Sequence, residues 1–291
     1  MFRKLIKYEM RAILRYWWLI AVILPIVSAV GALALRFTLS STQFYKPIHV
    51  PPWLVTLSTL LAVLCIFCIF ASMLVVQIFI YLRFYKNFFT DEGYLTFTLP
   101  VSRSKLLAAK ALNGIFWIVI HTLLMGVCAL FTFGLISPPP TSINGGIINP
   151  VVFDNIKIIL ADAWDALGAW LILYIVEIVT AMVLTLVFNH ALIYFCITFG
   201  AMIAKKAKLL AAIAVYYVVN MVLSFVFQFF GAISIVSLAN GFSQLMSNGS
   251  ELIVKASLAL IILIVIAVCA ALACIAYFTT QSLIERKLNL P

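Results

Sequence analysis

Six long apolar stretches constrain the fold of this chain more than any other feature. A helix needs about 20 predominantly apolar residues to cross the hydrocarbon core of a bilayer. The six stretches cover residues 16–35, 53–82, 111–136, 166–198, 209–235 and 256–280. Their apolar positions are continuous rather than alternating, which favours membrane-spanning helices over strands. The sequence therefore predicts an all-α integral membrane protein, a six-span helical bundle that forms a single domain over residues 1–291.

A low charge content supports this prediction. Hydrophobic residues make up 66% of the chain and charged residues 10%, whereas soluble domains average about 45–50% and 25%. The 19 basic and 9 acidic side chains cannot provide the polar surface of a soluble globule of 291 residues. The net charge of +10 does not indicate nucleic acid, because the basic residues form short clusters between the apolar stretches. We expect contact with membrane lipid and no nucleic-acid partner.

The distribution of basic residues predicts the orientation of the spans. Lys and Arg are enriched in short loops on the cytoplasmic side of a membrane. Fifteen of the 19 basic residues fall on one side of a six-span arrangement, namely Arg3, Lys4, Lys7, Arg11, Arg15, Arg83, Lys86, Arg103, Lys105, Lys110, Lys205, Lys206, Lys208, Arg286 and Lys287. The other side carries only Arg36, Lys46, Lys157 and Lys255. Both termini are therefore predicted to be cytoplasmic.

The N-terminal segment Met1–Trp17 has the pattern of an amphipathic helix. Apolar side chains recur at three- to four-residue spacing on one face, and basic residues recur every four residues from Arg3 to Arg15. We predict a separate interfacial helix whose basic face contacts anionic headgroups. The alternative is a helical extension of the first span. Because Glu9 interrupts the charged region and the following stretch has full span length, we expect a retained span rather than a cleaved signal peptide.

The segment 83–110, between the second and third spans, is the most informative loop. Thr90 or Asp91 is suited to cap a short helix there, and Pro100 would end it. The loop is too apolar for a solvated linker, since it contains Phe84, Phe88, Phe89, Tyr94, Leu95, Phe97 and Leu99. A contiguous exposed apolar patch indicates a binding surface. The alternative is that these side chains pack against the ends of the chain's own spans.

Three polar residues lie deep within predicted spans, where such residues are costly and call for an explanation. At a rise of 1.5 Å per residue, Glu177 lies about 18 Å beyond Asp165 and His121 about 16 Å beyond Lys110. Asn220 lies at a similar depth. We predict that His121, Glu177 and Asn220 converge in the bundle, either on a substrate path or hinge or as contacts that join neighbouring helices. Weaker candidates of the same kind are Gln77, Asn189, His190 and Gln228.

The sequence contains no pattern for catalysis or nucleotide binding. It has no Gly-x-x-x-x-Gly-Lys-Ser/Thr loop, no His-Glu-x-x-His and no Gly-x-Ser-x-Gly. Cys65 and Cys68 have the spacing of a metal site, but they lie in an apolar stretch without a second pair, so we expect them to pack as small apolar residues. We predict no catalytic, cofactor-binding or metal site on this chain and do not expect it to be an enzyme.

A family resemblance is carried by the same loop. Residues 88–102 read Phe-Phe-Thr-Asp-Glu-Gly-Tyr-Leu-Thr-Phe-Thr-Leu-Pro-Val-Ser. Together with Lys105, Leu106 and Lys110, this run resembles the cytoplasmic loop of bacterial ABC-2-type transporter permeases. Weaker similarities to these permeases occur at Tyr8–Arg11, Tyr194–Gly200 and Glu285–Leu290. With six spans and cytoplasmic termini, the resemblance extends over nearly the whole chain.

The resemblance implies the permease subunit of an ATP-driven exporter in the bacterial cytoplasmic membrane. Such permeases form dimers with an identical or homologous second permease chain, and each docks on a separate ATP-binding subunit that binds ATP and Mg²⁺. Met1–Trp17 would be the elbow helix of the family and Gly231–Glu251 its outer re-entrant segment. The coupling residues that would contact the ATPase are Phe89, Thr90, Asp91, Glu92, Gly93, Tyr94, Leu95, Phe97 and Leu99.

The cargo and the class of transporter are less closely defined by the sequence. Hydrophobic spans with little buried charge favour an amphiphilic or hydrophobic cargo, such as a peptide, a lipid or a drug-like molecule. The alternative function is that of an ATP-independent channel or secondary carrier. Such carriers usually contain inverted repeats and spans broken by Gly or Pro, and no repeat is evident in this sequence. A membrane enzyme would need a nucleophile or metal set within the spans, which the sequence does not offer.

Overall fold

Eight α-helices make up the described part of the chain. The computed structural model describes residues 2–41, 51–98, 100–136, 150–204, 207–248 and 251–287, and no strand occurs among them. The helices are α1 (Phe2–Ser41), α2 (Pro52–Phe89), α3 (Asp91–Phe97), α4 (Arg103–Ile136), α5 (Pro150–Leu167), α6 (Trp170–Ile203), α7 (Lys208–Asn248) and α8 (Glu251–Lys287).

Six of these helices contain a segment long and apolar enough to cross a membrane. The segments are Phe2–Leu35, Pro52–Phe89, Arg103–Thr132, Trp170–Ile203, Lys208–Phe229 and Lys255–Glu285. The predicted all-α, six-span architecture is therefore confirmed. Several helices are longer than a bilayer requires. The 38 residues of α2 would extend about 57 Å at 1.5 Å per residue, whereas the hydrocarbon core is about 30 Å thick.

The predicted interfacial helix is not a separate element. α1 runs without a break from Phe2 to Ser41, so the alternative of a helical extension of the first span describes the backbone. The reason lies in the sequence, because neither Gly nor Pro occurs between Phe2 and Leu24 and nothing interrupts the helical hydrogen bonds at Trp17. Pro25 is accommodated within the helix.

The re-entrant segment that the resemblance implies at Gly231–Glu251 is also not a separate element as far as Asn248. The backbone of α7 continues to Asn248, so the helix contains 41 residues. The Ser, Asn and Gly residues of this segment each cost a helix only about 0.5–1 kcal/mol. Extending a helix that has already formed is much easier than nucleating a new one. The long apolar part of α7 is the formed helix that this segment extends.

A glycine sets the boundary between α5 and α6. Gly168 has a φ of 58°, in the left-handed region that residues with a Cβ rarely adopt. Its amide donates to the carbonyl of Trp164 at 2.7 Å, which closes the last turn of α5. The fourth span then begins at Trp170 rather than at the predicted residue 166. The acidic residue Asp165 consequently belongs to α5.

The chain divides into two compact units. The first unit comprises Met1–Leu5, Tyr81–Ile115 and Ala169–Pro291, and the second comprises Ile6–Ile80 and Phe116–Gly168. In the second unit, the buried hydroxyl of Ser28 on α1 donates to the carbonyl of Cys128 on α4 at 2.9 Å. It also lies 2.8 Å from the hydroxyl of Thr132. α1 approaches α2 closely, because a Cβ on Gly31 would lie 2.7 Å from that of Cys65.

The first unit is built mainly around α6. One cluster of buried side chains joins Phe188 and Cys196 on α6 to Ala273 on α8. A second cluster surrounds Tyr194 and includes residues of α2, α4 and α8. The backbones of α6 and α7 are in close contact at Gly200, where a Cβ would lie only 2.4 Å from the Cα of Ala212. Small residues allow helices in a membrane to approach in this way.

This close contact predicts a selective effect of adding one methyl group. In Gly200→Ala the new methyl would clash with the backbone of α7, which no rotation of a side chain relieves. We expect a destabilisation of about 1–3 kcal/mol, seen as a lower unfolding temperature in detergent. The matched control is Gly126→Ala, because a Cβ there meets nothing within 4 Å and improves helix propensity by up to about 1 kcal/mol. Equal stability of the two variants would contradict the described packing of α6 and α7.

Candidate functional site

The short helix expected in the loop is present as α3. It spans Asp91–Phe97, with two acidic residues in its first turn. The amide of Gly93 donates to the carbonyl of Thr90 at 2.8 Å, which starts the helix. The hydroxyl of Thr90 instead donates to the carbonyl of Lys86 at 2.6 Å. Thr90 therefore terminates α2 with its side chain and starts α3 with its backbone.

Gly93 is needed because α3 begins directly against the end of α2. The residue is buried, and a Cβ at this position would lie 2.9 Å from the carbonyl oxygen of Phe88. Since that oxygen belongs to the backbone, a larger residue could be accommodated only if α3 moved away from α2. The absence of a side chain at Gly93 therefore allows α3 to pack closely against the end of α2.

Aromatic side chains of this loop form a buried cluster with the chain's own helices. The rings of Phe84 and Tyr194 stack with centroids 3.9 Å apart and an interplanar angle of 6°. Phe88 meets Phe97 of α3 edge to face at 5.4 Å. Phe84, Phe88 and Phe89 are all buried, and Phe97 packs against their cluster. These side chains therefore pack against the chain's own helices, as the alternative interpretation of the loop proposed.

The predicted coupling residues consequently fall into different environments. Phe89 is buried and Phe97 half-buried, so they support α3 from within. Asp91 and Glu92 are exposed at the start of the helix. The side chains of Tyr94 and Leu95, and the whole of Leu99, lie outside the described residues. The surface that α3 offers among the described side chains is therefore acidic and polar rather than aromatic.

A hydrogen-bonded chain connects this surface to the interior. The Asn87 amide is oriented so that both its oxygen and its nitrogen form hydrogen bonds. The oxygen accepts from Lys110 Nζ at 2.7 Å, and the nitrogen donates to Glu92 Oε2 at 3.2 Å. The same nitrogen donates to the carbonyl of Arg83 at 3.1 Å. Asn87 thereby links α3 to α4 through one side chain.

Lys110 is the buried end of this chain. It is 6% exposed, and its ammonium lies 5.9 Å from the centroid of the Phe88 ring, within the range of a cation–π contact. Its carbonyl oxygen accepts from the hydroxyl of Tyr194 on α6 at 3.4 Å. Burial of an ammonium group is costly unless polar partners surround it. The sequence interpretation placed Lys110 among the basic residues of the cytoplasmic side and did not predict this role.

Two further basic residues attach other helices to the loop. Arg103 Nη1 donates to the carbonyl of Ile284 near the end of α8 at 3.1 Å. Its guanidinium carbon also lies 5.1 Å from the centroid of the Phe97 ring. Lys208 Nζ, at the start of α7, donates to the carbonyl of Phe89 at 3.3 Å. α3 and its flanking residues are therefore connected to α2, α4, α6, α7 and α8 of the first unit.

Of the three polar residues predicted within spans, His121 and Asn220 each have a local partner of their own. His121 Nε2 lies 3.1 Å from the hydroxyl of Ser72 in the second unit. Asn220 Nδ2 donates to the hydroxyl of Tyr216 at 3.3 Å in the first unit. Glu177 Oε2 is buried and has no hydrogen-bond partner among the described residues. Their convergence on one polar feature stays a prediction.

His190 was underestimated by the sequence interpretation. It is 1% exposed, and neither ring nitrogen has a hydrogen-bond partner within the described ranges. Its ring lies beside those of both Tyr81 and Tyr194, with centroid distances of 5.5 and 4.3 Å. A histidine within a long apolar stretch was the available signal, but sequence does not reveal whether a neighbouring helix supplies a partner.

No known protein family, characterised protein or solved structure matches this chain significantly. The fold therefore defines the class on its own, and six helices long and apolar enough to span a bilayer are those of a multi-pass α-helical membrane protein. Within the described ranges, no cluster of three or more His, Cys, Asp or Glu side chains is arranged to hold a metal ion.

The Asn87 chain predicts that Lys110 fixes the position of α3. Lys110→Met keeps the apolar stem but removes the ammonium donor. Because a hydrogen bond to a charged group contributes about 1.5–3 kcal/mol, we expect amide hydrogen exchange over residues 91–97 to accelerate about tenfold or more. The matched control is Lys105→Met, since Lys105 is exposed on the same helix. Indistinguishable exchange in the two variants, measured by mass spectrometry, would contradict the role of Lys110.

Proposed function

We propose that this chain is the permease subunit of an ATP-driven ABC exporter. The observation that carries the proposal is α3, a seven-residue helix between two span-length helices whose acidic first turn is exposed. The sequence of this segment resembles the cytoplasmic loop of ABC-2-type permeases. The chain has six helices suited to span a membrane and no nucleotide-binding loop of its own. Such a chain would obtain energy from a separate ATPase.

The internal packing of α3 suits a coupling element. A helix that docks on an ATPase must present a recognisable surface and must also be attached firmly to the spans. Asp91 and Glu92 provide exposed charge, which favours specific docking and rapid association. The buried aromatic cluster and the Asn87–Lys110 chain provide the attachment. Closely packed interiors transmit displacement, so motion of α3 would be passed to α4 and α6.

The remaining features of the proposal follow from the resemblance and the charge distribution. The ATPase subunit would bind ATP and Mg²⁺, and a second permease chain, identical or homologous, would complete the assembly. The concentration of basic residues beside the loop would place it and both termini in the cytoplasm of a bacterium, with the spans in the cytoplasmic membrane. The long apolar helices favour an amphiphilic or hydrophobic cargo, in agreement with the scarcity of charge.

The acidic pair of α3 tests this proposal. The double variant Asp91→Asn and Glu92→Gln removes both charges while retaining side-chain shape and an acceptor for Asn87. Loss of charge-assisted contacts of about 1.5–3 kcal/mol should weaken association with the ATPase subunit that the proposal requires by about tenfold or more. Association is measured by co-purification and by stimulation of ATP hydrolysis, in the wild type and in the variant.

The control for this experiment is Asp162→Asn, which removes an exposed acid on α5 and should change neither measurement. Equal unfolding temperatures would show that the double variant is folded. Cargo movement in vesicles that contain the purified chain without any ATPase would overturn the proposal and favour the ATP-independent channel or carrier.

A further inference from the structure

A cavity of about 200 Å³ lies between α4, α6 and α8 within the first unit. Leu107 on α4, Ala191 on α6 and Ala273 on α8 contribute buried side chains to its wall. The exposed wall of the cavity consists of apolar atoms. Cys274 lines it as well and is itself exposed, so it marks the rim through which the cavity is open.

His190 makes this cavity different from a simple packing defect. The imidazole belongs to the wall, is almost completely buried, and lacks a hydrogen-bond partner for either nitrogen in the described part of the chain. A buried polar atom without a partner costs about 1–3 kcal/mol, and such groups in native proteins usually serve a purpose. A neutral imidazole offers one donor and one acceptor.

Two hydroxyl groups of the wall, those of Tyr194 and Thr280, are already used within the protein. The hydroxyl of Tyr194 donates to the carbonyl of Lys110, and that of Thr280 donates to the carbonyl of Ala276 at 2.7 Å. His190 therefore supplies hydrogen-bonding capacity that neighbouring backbone groups do not satisfy. The torsion that turns an imidazole ring has a broad minimum, so a modest rotation can direct a nitrogen toward an occupant of the cavity.

The size and the chemistry of the wall define the ligand class. A cavity of about 150 Å³ lined by apolar side chains binds benzene, so the volume here is sufficient for one substituted ring. We propose that this cavity binds a small uncharged molecule with an apolar body and one hydroxyl or similar group, and that His190 forms the hydrogen bond to that group. The proposal does not rest on the function proposed above, because it involves neither the exposed acids of α3 nor an ATPase.

Alkylation of Cys274 provides a direct test in the purified, detergent-solubilised chain. Its modification by N-ethylmaleimide is followed by peptide mass spectrometry in the presence of 4-methylphenol or of toluene. Both probes should slow the labelling of Cys274, and 4-methylphenol should act at lower concentration. Cys68 is the internal control, since it is exposed and belongs to the second unit. Its labelling rate should not respond to either probe.

Two kinds of variant distinguish the hydrogen bond of His190 from the volume of the cavity. His190→Phe keeps a ring of similar size but has no nitrogen, so protection by 4-methylphenol should require roughly two- to tenfold more probe. Protection by toluene should be unchanged. Ala191→Phe should fill the cavity and abolish protection by both probes. Ala273→Leu is the second filling variant, used if Ala191→Phe does not give a folded protein by gel filtration.

Three results would overturn the proposal. The first is the absence of protection by 4-methylphenol, which would indicate that the cavity holds only water. The second is equal protection in the wild type and in a folded filling variant, which would indicate that the probe acts through the detergent. The third is an unchanged response of His190→Phe to 4-methylphenol, which would remove His190 from the site.

Discussion

The stacking of Phe84 on Tyr194 is the contact on which the rest of the candidate site depends. The two rings are 3.9 Å apart and nearly parallel, and they join the end of α2 to α6. Aromatic pairs contribute about 0.5–1.5 kcal/mol beyond the burial of their surface. Phe88 continues the cluster and meets Phe97, so α3 is held by the same group of rings. The exposed position of the acidic residues follows from this arrangement, because the described apolar side chains of the loop, Phe84, Phe88, Phe89 and Phe97, pack inward.

A polar connection runs parallel to the aromatic one. Lys110 is buried beside the Phe88 ring and reaches the exposed Glu92 through the amide of Asn87. An isolated buried charge would be strongly destabilising, so the amide and the ring face are required to keep the ammonium in place. The two connections constrain α3 differently. Ring packing resists displacement in any direction, whereas the hydrogen bonds fix the orientation of the first turn. Together they make α3 part of the first unit rather than a loose loop.

Hydropathy and local signals predicted the elements of this fold well. The six spans follow from apolar runs that no other structure could bury, and α3 follows from Thr90, Asp91 and Pro100 around a short apolar segment. The breaks between helices were predicted less well. Amphipathic patterning at Met1–Trp17 describes which faces are apolar, but it does not require a break, and α1 is continuous. An amphipathic pattern therefore shows which face of a helix is apolar but does not show where the helix ends.

Burial was the part of the site that sequence could not provide. Phe89 was predicted to contact a partner and Lys110 was assigned only to the cytoplasmic side, yet both are buried. Whether a polar side chain in an apolar helix is satisfied likewise depends on the residue that the neighbouring helix places opposite it. Local sequence carries little information on that residue, because the contacts join positions far apart in the chain, such as Ser72 and His121, 49 residues apart, or Lys110 and Tyr194, 84 residues apart.

The two buried histidines illustrate how such residues can be separated once their surroundings are known. His121 Nε2 faces Ser72 at 3.1 Å, and a hydrogen bond between helices explains a polar residue in a membrane protein, although His121 Nδ1 has no partner in the described part of the chain. His190 has no such partner within the described ranges and borders a cavity. The same residue type at a similar place in an apolar helix thus has a structural explanation in one unit and calls for a ligand in the other. The sequence interpretation ranked His121 above His190, and only the residues of the opposing helices show that His190 is the one left, among the described residues, without a partner for either nitrogen.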